Sequence, residues 1–154
     1  MTTERARART LQGKRAGFVS RVAAAAIDVM IVFVVLLAAL GAYAVVDYLF
    51  TDDPLNFPDP GVVWNSVVFS VLLVTVLTLA WSGSGRTLGN AAVGLRVLTE
   101  SGNRPTWRRA LLRAMIVVYI PAISMLWILV SRKNAGLHDL VCRTAVIYDW
   151  RVGR

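Results

Sequence analysis

Apolar residues along this chain fall into three blocks, and the first two show no polar face. Residues 22–46 are interrupted by a single charge, Asp28, and residues 62–81 by none. Crossing the hydrocarbon of a bilayer takes about 20 mostly apolar residues, whereas a helix on the surface of a soluble domain keeps a polar stripe. Both blocks therefore predict transmembrane helices. The third block, residues 110–130, contains Arg113 and Pro121. Each arm around the proline is about ten residues, roughly 15 Å at helical rise, which reaches only halfway through the membrane. Either a re-entrant segment or a strongly kinked span is predicted, since proline is tolerated in both. The fold class is an all-α membrane protein with two full spans and this third, proline-interrupted segment, organised as a single domain over residues 1–154.

The polar connections orient that framework. Residues 1–16 form a basic tail with Arg5, Arg7, Arg9, Lys14 and Arg15 against Glu4. The loop 47–61 is acidic, with Asp47, Asp52, Asp53 and Asp59, and its three prolines stop either helix from extending into it. The loop 82–109 carries Arg86, Arg96, Arg104, Arg108 and Arg109. By the positive-inside rule the N-terminus and the loop 82–109 are cytoplasmic and the loop 47–61 is external. The tail 131–154 adds Arg132, Lys133, Arg143, Arg151 and Arg154, which favours the re-entrant form because a full crossing would place them outside. The spacing of Trp107 and Trp127, about 30 Å if helical, argues the other way. Alternation at Leu95, Val97 and Thr99 followed by Ser101-Gly102-Asn103 predicts a short strand and turn, a small cytoplasmic β-hairpin. The β-prone run Thr144 to Tyr148 is a further partner for that strand, provided both lie on one side of the membrane.

Composition agrees with a membrane protein and removes several chemistries. The chain is 56% hydrophobic with a mean hydropathy of +0.60. Its net charge of +8 lies beside the apolar blocks, so anionic lipid headgroups are the expected partner and nucleic acid is not. One cysteine, Cys142, and one histidine, His138, give neither an internal disulfide nor a metal-ligand set, and no cofactor is expected. The acidic loop lacks the spacing of a calcium loop. The triplet Ala42-Tyr43-Ala44 loosely fits a cleavage site, but the apolar run is longer than the usual 7–15 residues and contains Asp28, so an uncleaved span is predicted. Gly89 and Gly94 have Walker spacing but are followed by Leu95-Arg96 rather than Lys and Ser or Thr, which argues against a phosphate loop.

Three short patterns then read together: Arg21-x-x-Ala24-x-x-Ile27-Asp28 opening the first helix, Thr87-x-Gly89-x-x-x-x-Gly94-Leu95-Arg96-Val97 after the second, and Gly136-Leu137-His138-Asp139 with Thr144 in the tail. In this order, with these apolar blocks, the chain resembles the RDD family of small bacterial membrane proteins from about Ala16 to about Ile147. The resemblance places the family's arginine at Arg21 and its two aspartates at Asp28 and Asp139, and it implies an inner-membrane protein, with ion transport suggested for some members.

A carboxylate within a membrane helix is costly unless paired, so Asp28 needs a partner. Arg21 lies two turns away, about 10 Å along the axis and too far for a direct bridge. Arg113, Arg96 or His138 are the candidates, and Arg21, Asp28 and Asp139 are expected in one buried charged cluster. Neighbours in sequence usually point apart, so His138 and Asp139 are not expected to act as a catalytic dyad, and no enzyme is predicted. Two functions follow. One is a non-catalytic scaffold or accessory subunit with a homo-oligomeric or other protein partner. The other is a cation or proton transporter that must oligomerise to enclose a path.

Overall fold

A computed structural model describes residues 12–51, 54, 55, 57–59, 61–131 and 135–150. Arg5, Arg7 and Arg9 of the basic tail, Asp52 and Asp53 of the acidic loop, and Arg132, Lys133, Arg151 and Arg154 lie outside the described residues. The elements in order are α1 (Phe18–Phe50), α2 (Val62–Gly83), α3 (Leu88–Ala92), β1 (Leu95–Thr99), α4 (Trp107–Tyr119), α5 (Pro121–Val130), α6 (Leu137–Cys142) and β2 (Thr144–Tyr148).

Two helices, α1 and α2, are long and apolar enough to cross a membrane. At helical rise the 33 residues of α1 extend about 50 Å and the 22 of α2 about 33 Å. The third apolar block is broken between α4 and α5, whose axes are bent by 100°. The break falls at Pro121, whose missing N–H suits the first position of α5. Its two ends come back to one place: β1 precedes the block, β2 follows it, and the strands pair antiparallel from Leu95 with Tyr148 to Thr99 with Thr144. The block is therefore a bent helix pair whose two ends return to one sheet, the return that the re-entrant form requires. The turn at Ser101-Gly102-Asn103 does form, closing on Thr99, whose N–H donates to the Asn103 carbonyl at 2.8 Å. The partner strand comes instead from the distant run Thr144 to Tyr148.

The sheet gathers the rest of this end of the molecule. Residues Gly13 to Ala16 run along the free edge of β2, with Gly13 donating to Tyr148 and Ala16 to Val146. The other edge is closed by the Val97 N–H donating to Gly85. Neither strand is left open to pair with another chain. Leu95, Val97 and Thr99 point into the core, as their alternation predicts. There they meet α2, whose Leu73, Leu77 and Trp81 recur at four-residue spacing and form one stripe, and α4, where the small Ala110 and Ala114 allow close approach. Trp81, which its spacing from Trp64 suggests as an interfacial belt residue, is instead buried in this core under the Arg113 guanidinium, 4.9 Å from the ring centre.

Candidate functional site

The site begins on α1. Its buried residues Arg21, Ala24, Asp28 and Val32 follow three- and four-residue spacing and so lie on one face, which the other sheet-side elements cover. Arg21 and Asp28 share that face but hold different partners.

Arg21 meets Asp139. The latter stands in the first turn of α6, where its carboxylate accepts the Gly136 N–H at 3.1 Å and faces the positive end of the helix. One carboxylate oxygen accepts Nη1 of Arg21 and the other Nη1 of Arg113. Arg21 also donates from Nε to the Ala16 carbonyl, and Arg113 from Nη1 to the Thr144 hydroxyl at 2.6 Å. One aspartate thus ties α1, α4, α6, β2 and the edge segment together. Its side chain is 0% exposed. Burial by itself would raise the carboxyl, but Arg113 and Arg21 hold it well below the usual carboxylate range.

Beside it, the His138 ring touches the Ser124 hydroxyl through Nδ1 and approaches Asp139 Oδ1 to 3.5 Å through Nε2. Burial, reinforced by the facing Arg113, pulls the imidazole down to about 3, so it is neutral at ordinary pH. Contrary to the expectation that these two neighbours point apart, they approach each other. The resulting row of Ser124, His138 and Asp139 nonetheless gives no access to a nucleophile: Ser124 is 0% exposed. Asp139, moreover, is committed to two guanidiniums.

Asp28 is held by dipoles instead of a cation, which corrects the single-cluster expectation. The Thr87 hydroxyl donates to Oδ2 at 2.5 Å and the Gly89 N–H to Oδ1 at 2.7 Å. Thr87 caps α3, its oxygen accepting the Asn90 N–H at 3.1 Å, so its proton is free for Asp28. Gly89 is required by space: a Cβ there would overlap the Ala24 carbonyl and lie 2.9 Å from the Asp28 carboxyl carbon. Among the described residues Asp28 makes no ion pair.

Arg96, proposed above as a partner for Asp28, reaches Asp149, as does Arg86. Asp149 also accepts from Gln12 at 3.0 Å. Gly94 adopts φ +70° with the Trp150 indole filling the space where a side chain would project. Sequence reasoning did not single out Asp149, Arg86 or Ser124. Among the described residues no group of three His, Cys, Asp or Glu is placed to hold a metal.

Arg21, Asp28, Arg113 and His138 line one cavity of about 220 Å³ between α1, α2, α4 and α5. The residues named by the three sequence patterns thus lie around the sheet-side end of the helices, divided between an ion-paired centre at Asp139, a dipole-held carboxylate at Asp28 and the Asp149 cluster.

A profile described as the RDD family matches residues 15–143. The chain is also similar to the uncharacterized protein YxaI of Bacillus subtilis (strain 168), 33% identical over 88 residues, which are 53% of this chain and 54% of that protein. The chain thus spans about half the length of this curated relative. No solved structure matches. With a family match over most of its length and two helices long and apolar enough to cross a bilayer, the chain belongs to the RDD family and is a membrane protein.

Proposed function

We propose that this protein is a non-catalytic scaffold or accessory subunit of the bacterial inner membrane. Its sheet side and N-terminus face the cytoplasm, where the arginines of residues 86–109 meet anionic headgroups and a protein partner, a second copy of the chain included. The observation that carries this reading is the double pairing of fully buried Asp139 by Arg21 and Arg113. A carboxylate that moves an ion must exchange partners, whereas this one holds five segments in place. The orientation rests on charge: Arg86, Arg96, Arg104, Arg108 and Arg109 lie on the sheet side, and Asp47 and Asp59 lie in or next to the connection at the opposite end.

A second reading, an oligomeric cation or proton exchanger, is favoured by one observation. Asp28 has no cation partner among the described residues and faces a cavity. Proteoliposomes containing the purified, folded protein separate the two. The scaffold reading expects no cation-driven pH change above empty liposomes. A flux that disappears in Asp28→Asn, at matched folded amount, replaces it with the exchanger.

A further inference from the structure

The cavity bounded by Asp28 and Arg113 has unused hydrogen-bonding capacity of opposite sign within apolar walls. Arg113 is 2% exposed, yet its hydrogen bonds to Asp139 and Thr144 both leave from Nη1. Its Nε has no hydrogen-bond partner among the described residues. A guanidinium carries five N–H donors, so this buried cation retains a donor for an acceptor that the fold does not supply. Asp28 shows the converse. Each of its oxygens accepts one hydrogen bond from the protein and keeps a second lone pair open. Around these two groups the walls are Val29, Leu73, Leu77, Val117 and Met125.

Charge balance restricts what fits. The cavity and the groups directly behind it hold two arginines, Arg21 and Arg113, and two aspartates, Asp28 and Asp139, while His138 is neutral. The set already cancels. A lone cation or a lone anion would leave one uncompensated charge in a low-dielectric place, which is costly. A ligand bearing both charges satisfies Asp28 and Arg113 together and leaves the balance intact.

We propose that this cavity binds a zwitterion, with a primary ammonium at Asp28, an oxyanion at Arg113 and an apolar part against the aliphatic walls. That chemistry has two sources, an aminophospholipid headgroup entering between the membrane-facing helices or a free apolar amino acid. The proposal goes beyond the scaffold reading and holds or fails independently of ion flux. Calorimetric titration of the delipidated, full-length protein in detergent tests it. Dihexanoylphosphatidylethanolamine and L-leucine serve as the two probes, and dihexanoylphosphatidylglycerol and 4-methylpentanoate as their amine-free counterparts. At least one zwitterion is expected to bind saturably, tenfold or more tighter than its counterpart, and the tighter of the two identifies the source. Asp28→Asn is expected to weaken that binding at least tenfold. So is Ala25→Phe, which fills the cavity from α1 without altering any charge and keeps the test decisive if Asp28→Asn does not fold. Binding by neither zwitterion, equal binding of the amine-free counterparts, or unchanged affinity in folded Ala25→Phe overturns the proposal.

Discussion

Asp139 and Asp149 are the same chemical arrangement in two settings: one carboxylate between two arginines. Around Asp139 the side chain is 0% exposed and the arginines come from helices, whereas Asp149 is 19% exposed just after β2, with Arg86 from the loop after α2 and Arg96 from β1. In water-accessible surroundings each ion would be nearly as well solvated alone, so the pairing contributes little. Inside the core no water replaces a lost partner, and the arrangement becomes indispensable once formed. What separates them is the cost of the broken state, more than the strength of the intact one.

Three measurements break or sharpen that contrast. The largest effect is expected from Asp139→Asn, which strands Arg21 and Arg113 without an anion; a loss of roughly 3–5 kcal/mol is the usual size for opening a buried pair. Thermal unfolding of the purified variant and its abundance in membranes read it out. Near wild-type values on both would place the pair in water.

The next effect belongs to pH. His138, beside Asp139, is held down to about 3 in the folded protein and titrates near 6.5 when unfolded. Between those values the unfolded chain binds a proton that the folded one does not, so stability falls as pH drops through 6.5 and levels off below about 3. The loss is on the order of a few kcal/mol, seen as a declining unfolding midpoint. It should flatten in His138→Gln, and a wild-type midpoint that is unchanged from pH 7 to pH 4 contradicts the burial of a neutral ring. Asp139 adds to the slope only at the acid end of that range, below about pH 5, where the unfolded carboxyl takes up a proton and the folded one, held down by Arg113 and Arg21 against the upward push of burial, stays ionised.

The smallest effect is expected from Asp149→Asn, about 1 kcal/mol or less and shrinking with added salt. Unfolding midpoints at low and high ionic strength check this, and a loss matching that of Asp139→Asn would erase the distinction between the two clusters.

Which parts of this arrangement could be read from the chain follows from the physics of each. Residues 22–46 and 62–81 lie within α1 and α2, because a spanning helix must be apolar on every side and composition alone reveals it. The alternation at Leu95, Val97 and Thr99 was legible because one face of β1 is buried, and the bend at Pro121 because that residue lacks a donor. Asp28 shows where such reasoning stops. Its helical face correctly groups it with Arg21, but its partner depends on which backbone can come close. Gly89, with no side chain, lets the start of α3 fill the space where an arginine was expected. Asp149 lay in a tail of mixed polarity with no periodicity to mark it. Ser124 was one small residue in an apolar block, and only the fold brings it to His138.

The order in which the pieces of the Asp139 centre are synthesised carries its own consequence. Arg21 precedes Asp139 by 118 residues and Arg113 precedes it by 26. A ribosome therefore delivers both cations before their shared anion exists. Arrival of α6 supplies Asp139, and β2, which follows it in the chain, pairs with β1 across the returned segment. α6 and β2 thus act as the clasp on segments that precede them in the chain.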